Sequence, residues 1–474
     1  MGDPRNPIDH WLNTEVEPLA PRPGTFERIS RRAHRRKVRR ASLSVAGAVV
    51  VIAVAAAVPG IVSALNANAG RPAAPVAANS PRPTAAPAIT GQGTGHAASQ
   101  SSSPVAGAEP PSSLRHGGVV PANFQPTSVT FIGGFTGAVI GQAGTPGHCA
   151  TPYCTSLAGT NDYGRTWFGV SAPRTGAPDG AQGVGQLRFL DTDNGWAFGP
   201  QLWVTHDAGA NWQQEKTGGM RVTDLETAGG RAFALFAKCS GNGPDFGAHC
   251  ARVSLYSSSS DGDQWQQVSG PAASLPLGPA ALPASASLVL AGSRGYLLAP
   301  SGELLSGPLT GAAWTIAAAQ APCSPGPPGP GGQPTGALLA AGSGQVIMVC
   351  TSATNAAGDS QTKVVMQSSN GGTSWSTAGD GPSAGIATSL AAAEGNVVVL
   401  ATDAGLYLST DGGVSWQLAR PGPAGAAAGQ RGFSYVGMTS PTQGVALPAD
   451  PGLHEVFVTT DGGTTWQSEA VSSP

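Results

Sequence analysis

A tryptophan closes a short polar turn seven times between residues 160 and 466 of this 474-residue chain, and no other feature restricts its folding as tightly. Five of the turns read Ser/Thr-x-Asp/Asn-x-Gly-x-x-Trp. They span residues 160–167 (Asp162, Trp167), 205–212 (Asp207, Trp212), 368–375 (Asn370 in place of Asp, Trp375), 409–416 (Asp411, Trp416) and 459–466 (Asp461, Trp466). Two copies are degenerate. The copy at 259–265, with Asp261 and Trp265, is one residue short, and Gly311-Ala312-Ala313-Trp314 keeps little beyond its Trp. Successive tryptophans lie 41 to 61 residues apart, a period that belongs to stacked supersecondary units and not to one continuous fold.

Each position in the turn has a folding reason. The Asp and the Ser/Thr hydroxyl can accept backbone N–H groups one or two residues on, and the Gly supplies positive φ. The Trp lays a large ring over the turn or into the blade core. Around the turns, short apolar or alternating runs such as Gln186–Leu190, Leu202–Thr205 and Glu455–Val458 are punctuated by Gly, Pro, Asn and Asp, which reads as strands. Four strands per repeat and seven repeats predict an all-β chain, a seven-bladed β-propeller over 126–474.

The repeated turn resembles the Asp-box, or BNR, repeat of sialidases, sortilin-type receptors and xyloglucanases. The Asp-Gly-Gly-x-x-Trp form at Asp411 and Asp461 is most similar to photosystem II assembly factor-like proteins and to bacterial exported propellers. The resemblance implies that the boxes sit on the rim as structure, with ligands taken on the opposite face. The inserts there are 143–153, 240–249, 319–335 and 352–361.

The N-terminal 42 residues hold ten Lys/Arg against five acids, and no charge follows from Ala41 through Gly70. Residues 43–65 are predicted to form a single transmembrane helix: 23 residues at ~1.5 Å each span ~34 Å against a hydrocarbon core of ~30 Å. The basic run predicts a cytosolic tail at 1–42 and an extracytoplasmic propeller anchored to the plasma membrane. Ala67-Asn68-Ala69 offers a cleavage site, but the apolar stretch is longer than that of a secretory signal. Residues 66–125, mostly Pro, Ala, Ser, Thr and Gly, are predicted to be a disordered linker.

All six Cys follow the apolar stretch as local pairs: Cys149 with Cys154, Cys239 with Cys250, and Cys323 with Cys350. This predicts three disulfides, with zinc the less fitting alternative. Beyond residue 42, 15 bases face 22 acids, which excludes nucleic acid as the natural partner.

Catalytic signals are sparse. The resemblance to sialidases implies an arginine triad, a Tyr–Glu nucleophile pair and an Asp acid/base. However, 119–142 holds no Arg, and Phe26-Glu27-Arg28-Ile29 is only a partial match to the leading motif. Arg188, Arg221, Arg231, Arg252 and Arg294 are the arginines that could converge from different blades. Asp191 and Asp193 are explained by turn chemistry. No nucleophile elbow, phosphate loop, cofactor motif or metal motif is present. The expectation is a membrane-anchored, non-catalytic module that binds or assembles envelope proteins or glycans. The alternatives are an exported sialidase-like glycoside hydrolase and a transmembrane sensor signalling through its tail.

Overall fold

The computed structural model describes residues 113–145, 148–149, 155–176, 182–240, 250–260, 262–277, 286–325, 336–342, 344–355, 358–425 and 429–473. Seven antiparallel sheets follow one another along these residues, and in each the four main strands pair in chain order. The first strands of blades 1 to 7 are Gln125–Phe131, Val184–Phe189, Arg221–Ala228, Ser287–Ala291, Ala337–Gly342, Ala387–Ala392 and Phe433–Met438. Blade 3 adds a two-residue strand, Leu275–Pro276, and blade 1 carries a small hairpin between its second and third strands.

The inner three strands of a blade are buried on both faces, so apolar residues run nearly unbroken along them. In the second strand of blade 1, Val139 packs towards blade 7 while Ala138 and Ile140 pack towards blade 2. Seven apolar clusters result, one at each seam between neighbouring blades, including the seam between blades 7 and 1. The ring is closed.

Closure uses no shared strand. Residues 113–124, expected to belong to a disordered linker, run along blade 1 from its seam with blade 2 to the last strands of blade 7. Leu114 is buried at the first seam, Val120 and Phe124 at the second. Val120 N–H donates to Ser473 Oγ at 2.7 Å, His454 Nδ1 bonds the Phe124 carbonyl at 2.8 Å, and Gly118 bridges Gly169.

The first strands, which line the central channel, carry a second repeat that the sequence reading missed. In blades 1, 3, 6 and 7 the ladder shifts by one residue, at Thr127, Thr223, Thr388 and Ser434. The hydroxyl of each extra residue satisfies a carbonyl near the break: Thr127 reaches Ile140 O and Gly185 O, Thr223 Leu235 O, Thr388 Phe433 O, and Ser434 Pro448 O. The residue after the bulge then clasps the next blade. Ser128 Oγ accepts from Leu187 N–H, Asp224 Oδ2 from Leu288 N–H, and Ser389 Oγ from Val436 N–H. First strands of adjacent blades share no ladder, so these side chains do part of the joining.

Between blades 5 and 6, Lys363 is only 2% exposed, and its ammonium donates to the carbonyls of Gln361, Pro382, Ala384 and Gly385 at 2.6 to 3.3 Å. Burial pushes this group down to about 8, with Asp403 acting the other way.

One expectation is corrected. The helical turns at Pro271–Ala273 and Pro451–Leu453 are three residues long, and among the described residues no helix is long and apolar enough to cross a membrane. The membrane-spanning helix, and the membrane partner and plasma-membrane topology built on it, therefore have no support in the structure. The segments read as tail (1–42) and anchor (43–65) lie outside the described residues, as does 66–112.

Candidate functional site

The five regular turns join the third and fourth strands of blades 1, 2, 5, 6 and 7, and their hydrogen bonds repeat. In blade 1, Thr160 Oγ1 donates to Asp162 Oδ1 and accepts from Gly164 N–H, while Asp162 accepts Thr166 N–H and Thr166 Oγ1 at 2.9 and 2.6 Å. Asp207, Asp411 and Asp461 accept in the same way, and Asn370 accepts Ser374 N–H while donating to its hydroxyl. Burial alone would raise the Asp162, Asp207 and Asp461 carboxyls, but these bonds outweigh it and hold all three below the usual range. Bonds from Ser415 and Ser409 bring Asp411 to about 2. Acids held this firmly ionised at a turn are structural acceptors, poor proton donors.

The tryptophans act at the seams more than within their own blades. Trp167, Trp212, Trp265, Trp314, Trp375, Trp416 and Trp466 each join the cluster shared with the preceding blade. Degeneration of the turn leaves this role intact. Trp314 is fully buried against Phe233 of blade 3, and Trp265 packs on Phe236 from the fourth strand of its own blade, Gly262–Gln267. Asp261 lies outside the described residues.

Two of the three expected disulfides are formed, Cys239–Cys250 and Cys323–Cys350. The third, between Cys149 and Cys154, is not among the described bonds. Cys154 lies outside the described residues, and Cys149 is described only through the backbone of the strand His148–Cys149. Much of the four inserts lies outside the described residues as well.

The chemically distinctive group lies in the channel. Arg188 on the first strand of blade 2 reaches across to blade 3, where its Nε and Nη2 both donate to Glu226 Oε1 at 3.0 and 2.9 Å. Its Nη1 donates to Leu187 O at 2.8 Å, and its guanidinium stands 5.8 Å from the ring centroid of Tyr435 on blade 7. Asp224 lies two residues before Glu226 on the same strand, so both side chains leave it on one face. Burial, then the neighbouring Glu226 carboxylate, raises Asp224 to about 7, against the opposing Leu288 N–H and Arg188. Burial also raises the Tyr435 phenol, which keeps it neutral. Burial opposes the Arg188 charge, but Glu226, Tyr435 and Asp224 together outweigh it and shift the group upward.

Of the five arginines read as able to converge, Arg188 belongs to this group, and Arg221 stands at the start of the first strand of blade 3. Arg231 bonds Ser257, Arg294 bonds Ser306, and Arg252 is exposed on the third strand of blade 3. Asp191 accepts the backbone N–H groups of Asp193 and Asn194, as turn chemistry requires. Glu226, Asp224 and Tyr435 were not singled out from sequence. Their only signal is a polar residue where an inner strand should be apolar, and their partners are blades away.

No protein-family model matches the chain, and no curated protein matches it in sequence. Solved structures do. The structure "YCF48 bound to D1 peptide" is 16% identical, with 74% of this chain and 99% of that one covered and a TM-score of 0.42. YCF48 from Cyanidioschyzon merolae is 13% identical over 60% and 85%, TM-score 0.37. The α-L-arabinanase of Penicillium chrysogenum, complexed with arabinobiose, is 11% identical over 74% and 99%, TM-score 0.39. At such identities the likeness is one of fold. The chain is a seven-bladed all-β propeller.

Proposed function

We propose that this chain is an Asp-box propeller acting as a glycoside hydrolase, with its chemistry at the channel carboxyls. One observation carries the reading. Two acids on one strand face meet different environments: burial, then the neighbouring Glu226, raises Asp224 to about 7, while Glu226 is charge-paired with Arg188 at 2.9 Å. Carboxyl pairs whose environments drive them apart divide the work of acid and base in glycosidic cleavage. Asp224 would protonate the leaving oxygen. Glu226, next to the neutral Tyr435, would serve as base or as activator of the phenol.

Arg188 is already neutralised by Glu226, which suits a neutral glycoside better than a sialic acid carboxylate. A second reading is favoured by a different observation. Asp224 occupies the post-bulge position where Ser128 and Ser389 clasp the next blade, which suits a lock on the ring and no turnover.

The two readings separate in one assay. The full-length protein is incubated with 4-methylumbelliferyl glucosides, galactosides, xylosides and arabinosides, alongside Asp224→Asn and Glu226→Gln variants. The hydrolase reading expects release by the wild type and a loss on the order of 100-fold or more in each variant that keeps its native circular dichroism. If the wild type releases nothing, or if both variants match it, the hydrolase fails and the lock remains.

A further inference from the structure

Repeats supply their own controls, and blade 1 departs from them at three neighbouring positions. The residue before the box glycine has positive φ in all five regular turns. It is Ala208, Gly371, Gly412 or Gly462 in blades 2, 5, 6 and 7, but Tyr163, at φ 67°, in blade 1. A bulky side chain is a true outlier in that region. The residue after the box glycine is Ala210, Thr373, Val414 or Thr464 elsewhere, and Arg165 here. Finally, the carbonyl that binds this turn to the turn joining the first two strands of the same blade comes from Asp193, Asn396 or Thr442 in blades 2, 6 and 7. In blade 1 it comes from Phe135, which accepts Tyr163 N–H at 3.0 Å.

None of the three side chains is a core residue. Phe135 is 36% exposed, Arg165 is exposed and Tyr163 is half-buried. The two rings stand at 68° with centroids 6.3 Å apart, and Arg165 stacks 5.7 Å from the Tyr163 centroid. Thr460, Thr465, Gln467 and Glu469 of blade 7 line the adjoining cleft. Its free volume, about 20 Å³, admits a water but no ring, so a ligand has to lie flat across the corner. Folding does not ask for this group, since four other blades close the same turn without it.

We infer that Phe135, Tyr163 and Arg165 form a surface site for a carbohydrate chain, with Gln467 and Glu469 at its edge. A pyranose ring joins an apolar C–H face to a rim of hydroxyls. The aromatic corner meets the face, while guanidinium, amide and carboxylate groups meet the rim. The site sits at the end of the ring that bears the boxes, outside the channel group, and its readout is binding, so it stands or falls separately from the hydrolase reading.

The test uses the full-length protein in affinity electrophoresis through soluble cellulose, chitosan and starch derivatives, with cellotetraose, chitotetraose and maltotetraose titrated by calorimetry. The comparison is a triple variant carrying the residue types of the other copies, Phe135→Asn, Tyr163→Gly and Arg165→Thr. The inference expects retardation by at least one polymer, with about a tenfold or greater affinity loss in the variant. The variant's Tm should be unchanged or higher, because the left-handed position no longer holds a bulky side chain. It is overturned if no saccharide binds the wild type, if the variant binds equally, or if its Tm falls by several degrees, which would make the rings structural.

Discussion

Gly372 and Gly344 share a positive φ, +87° and +80°, and differ in what a methyl group would meet. At Gly344 nothing described lies within 4 Å, whereas at Gly372 a Cβ would fall 2.3 Å from Leu304 Cδ2 of the preceding blade and 3.8 Å from Ala317 Cβ. Gly344→Ala should therefore cost only the left-handed penalty, about 1–2 kcal/mol. Gly372→Ala carries the same penalty plus overpacking, typically 1–3 kcal/mol. Leu304 is fully buried in the seam between blades 4 and 5, so it cannot swing aside without displacing its neighbours. With an unfolding entropy of about 2.1 cal/mol/K per residue, a domain of this size loses about 1–2 °C per kcal/mol. Differential scanning calorimetry should show a drop of about 2 °C for Gly344→Ala and about 4–6 °C for Gly372→Ala. Shortening the obstructing side chain in a Gly372→Ala/Leu304→Ala double variant should give a loss smaller than the sum of its parts by about 1 kcal/mol or more. Equal losses in the two single variants would refute the argument that blade-to-blade contact, beyond φ, dictates glycine in the turn.

Two further outcomes follow from the acids and the buried lysine. The folded-state values of Asp162, Asp207, Asp411 and Asp461 lie below the ordinary one. The stability they contribute is complete above about pH 4 and is lost as pH falls through the folded values, to about 2 for Asp411. Replacing all four by Asn, the residue that blade 5 uses at 370, should flatten the Tm-versus-pH curve over that interval; an unchanged acid slope would show that these carboxylates are not its source. Lys363→Met strands four carbonyls between blades 5 and 6, and urea titration should show a loss of about 2–4 kcal/mol, with Lys363→Arg no better because the larger head does not fit the same cage. A neutral result would mean that the cage is not stabilised by its ammonium.

The sequence showed the blades clearly because one residue type marks each seam. Trp265 and Trp314 remain after the surrounding turn has decayed, since each ring joins the apolar cluster at the seam with the preceding blade whether or not the Asp and Gly are present. That spacing counted seven blades. The channel was not legible for the opposite reason. Glu226 lies 38 residues from Arg188, and Tyr435 is brought to them only by closing the ring, so no local pattern joins them. The bulge hydroxyls at Thr127, Thr223, Thr388 and Ser434 were hidden because a Thr or Ser inside a strand looks unexceptional until the ladder slips by one. Residues 113–124 were read as linker from composition. Leu114, Val120 and Phe124, three large apolar residues in that stretch, suffice to seat it.

The last seam is sealed by packing and by a clasp from the lead-in segment, while every sheet is cut from one uninterrupted stretch of polypeptide. A module of about fifty amino acids therefore leaves or enters as a unit, carrying its own indole to face whichever neighbour comes before it. Ring size in such an architecture is a matter of how many modules the gene encodes, and new termini can be opened at any of the joints without splitting a sheet.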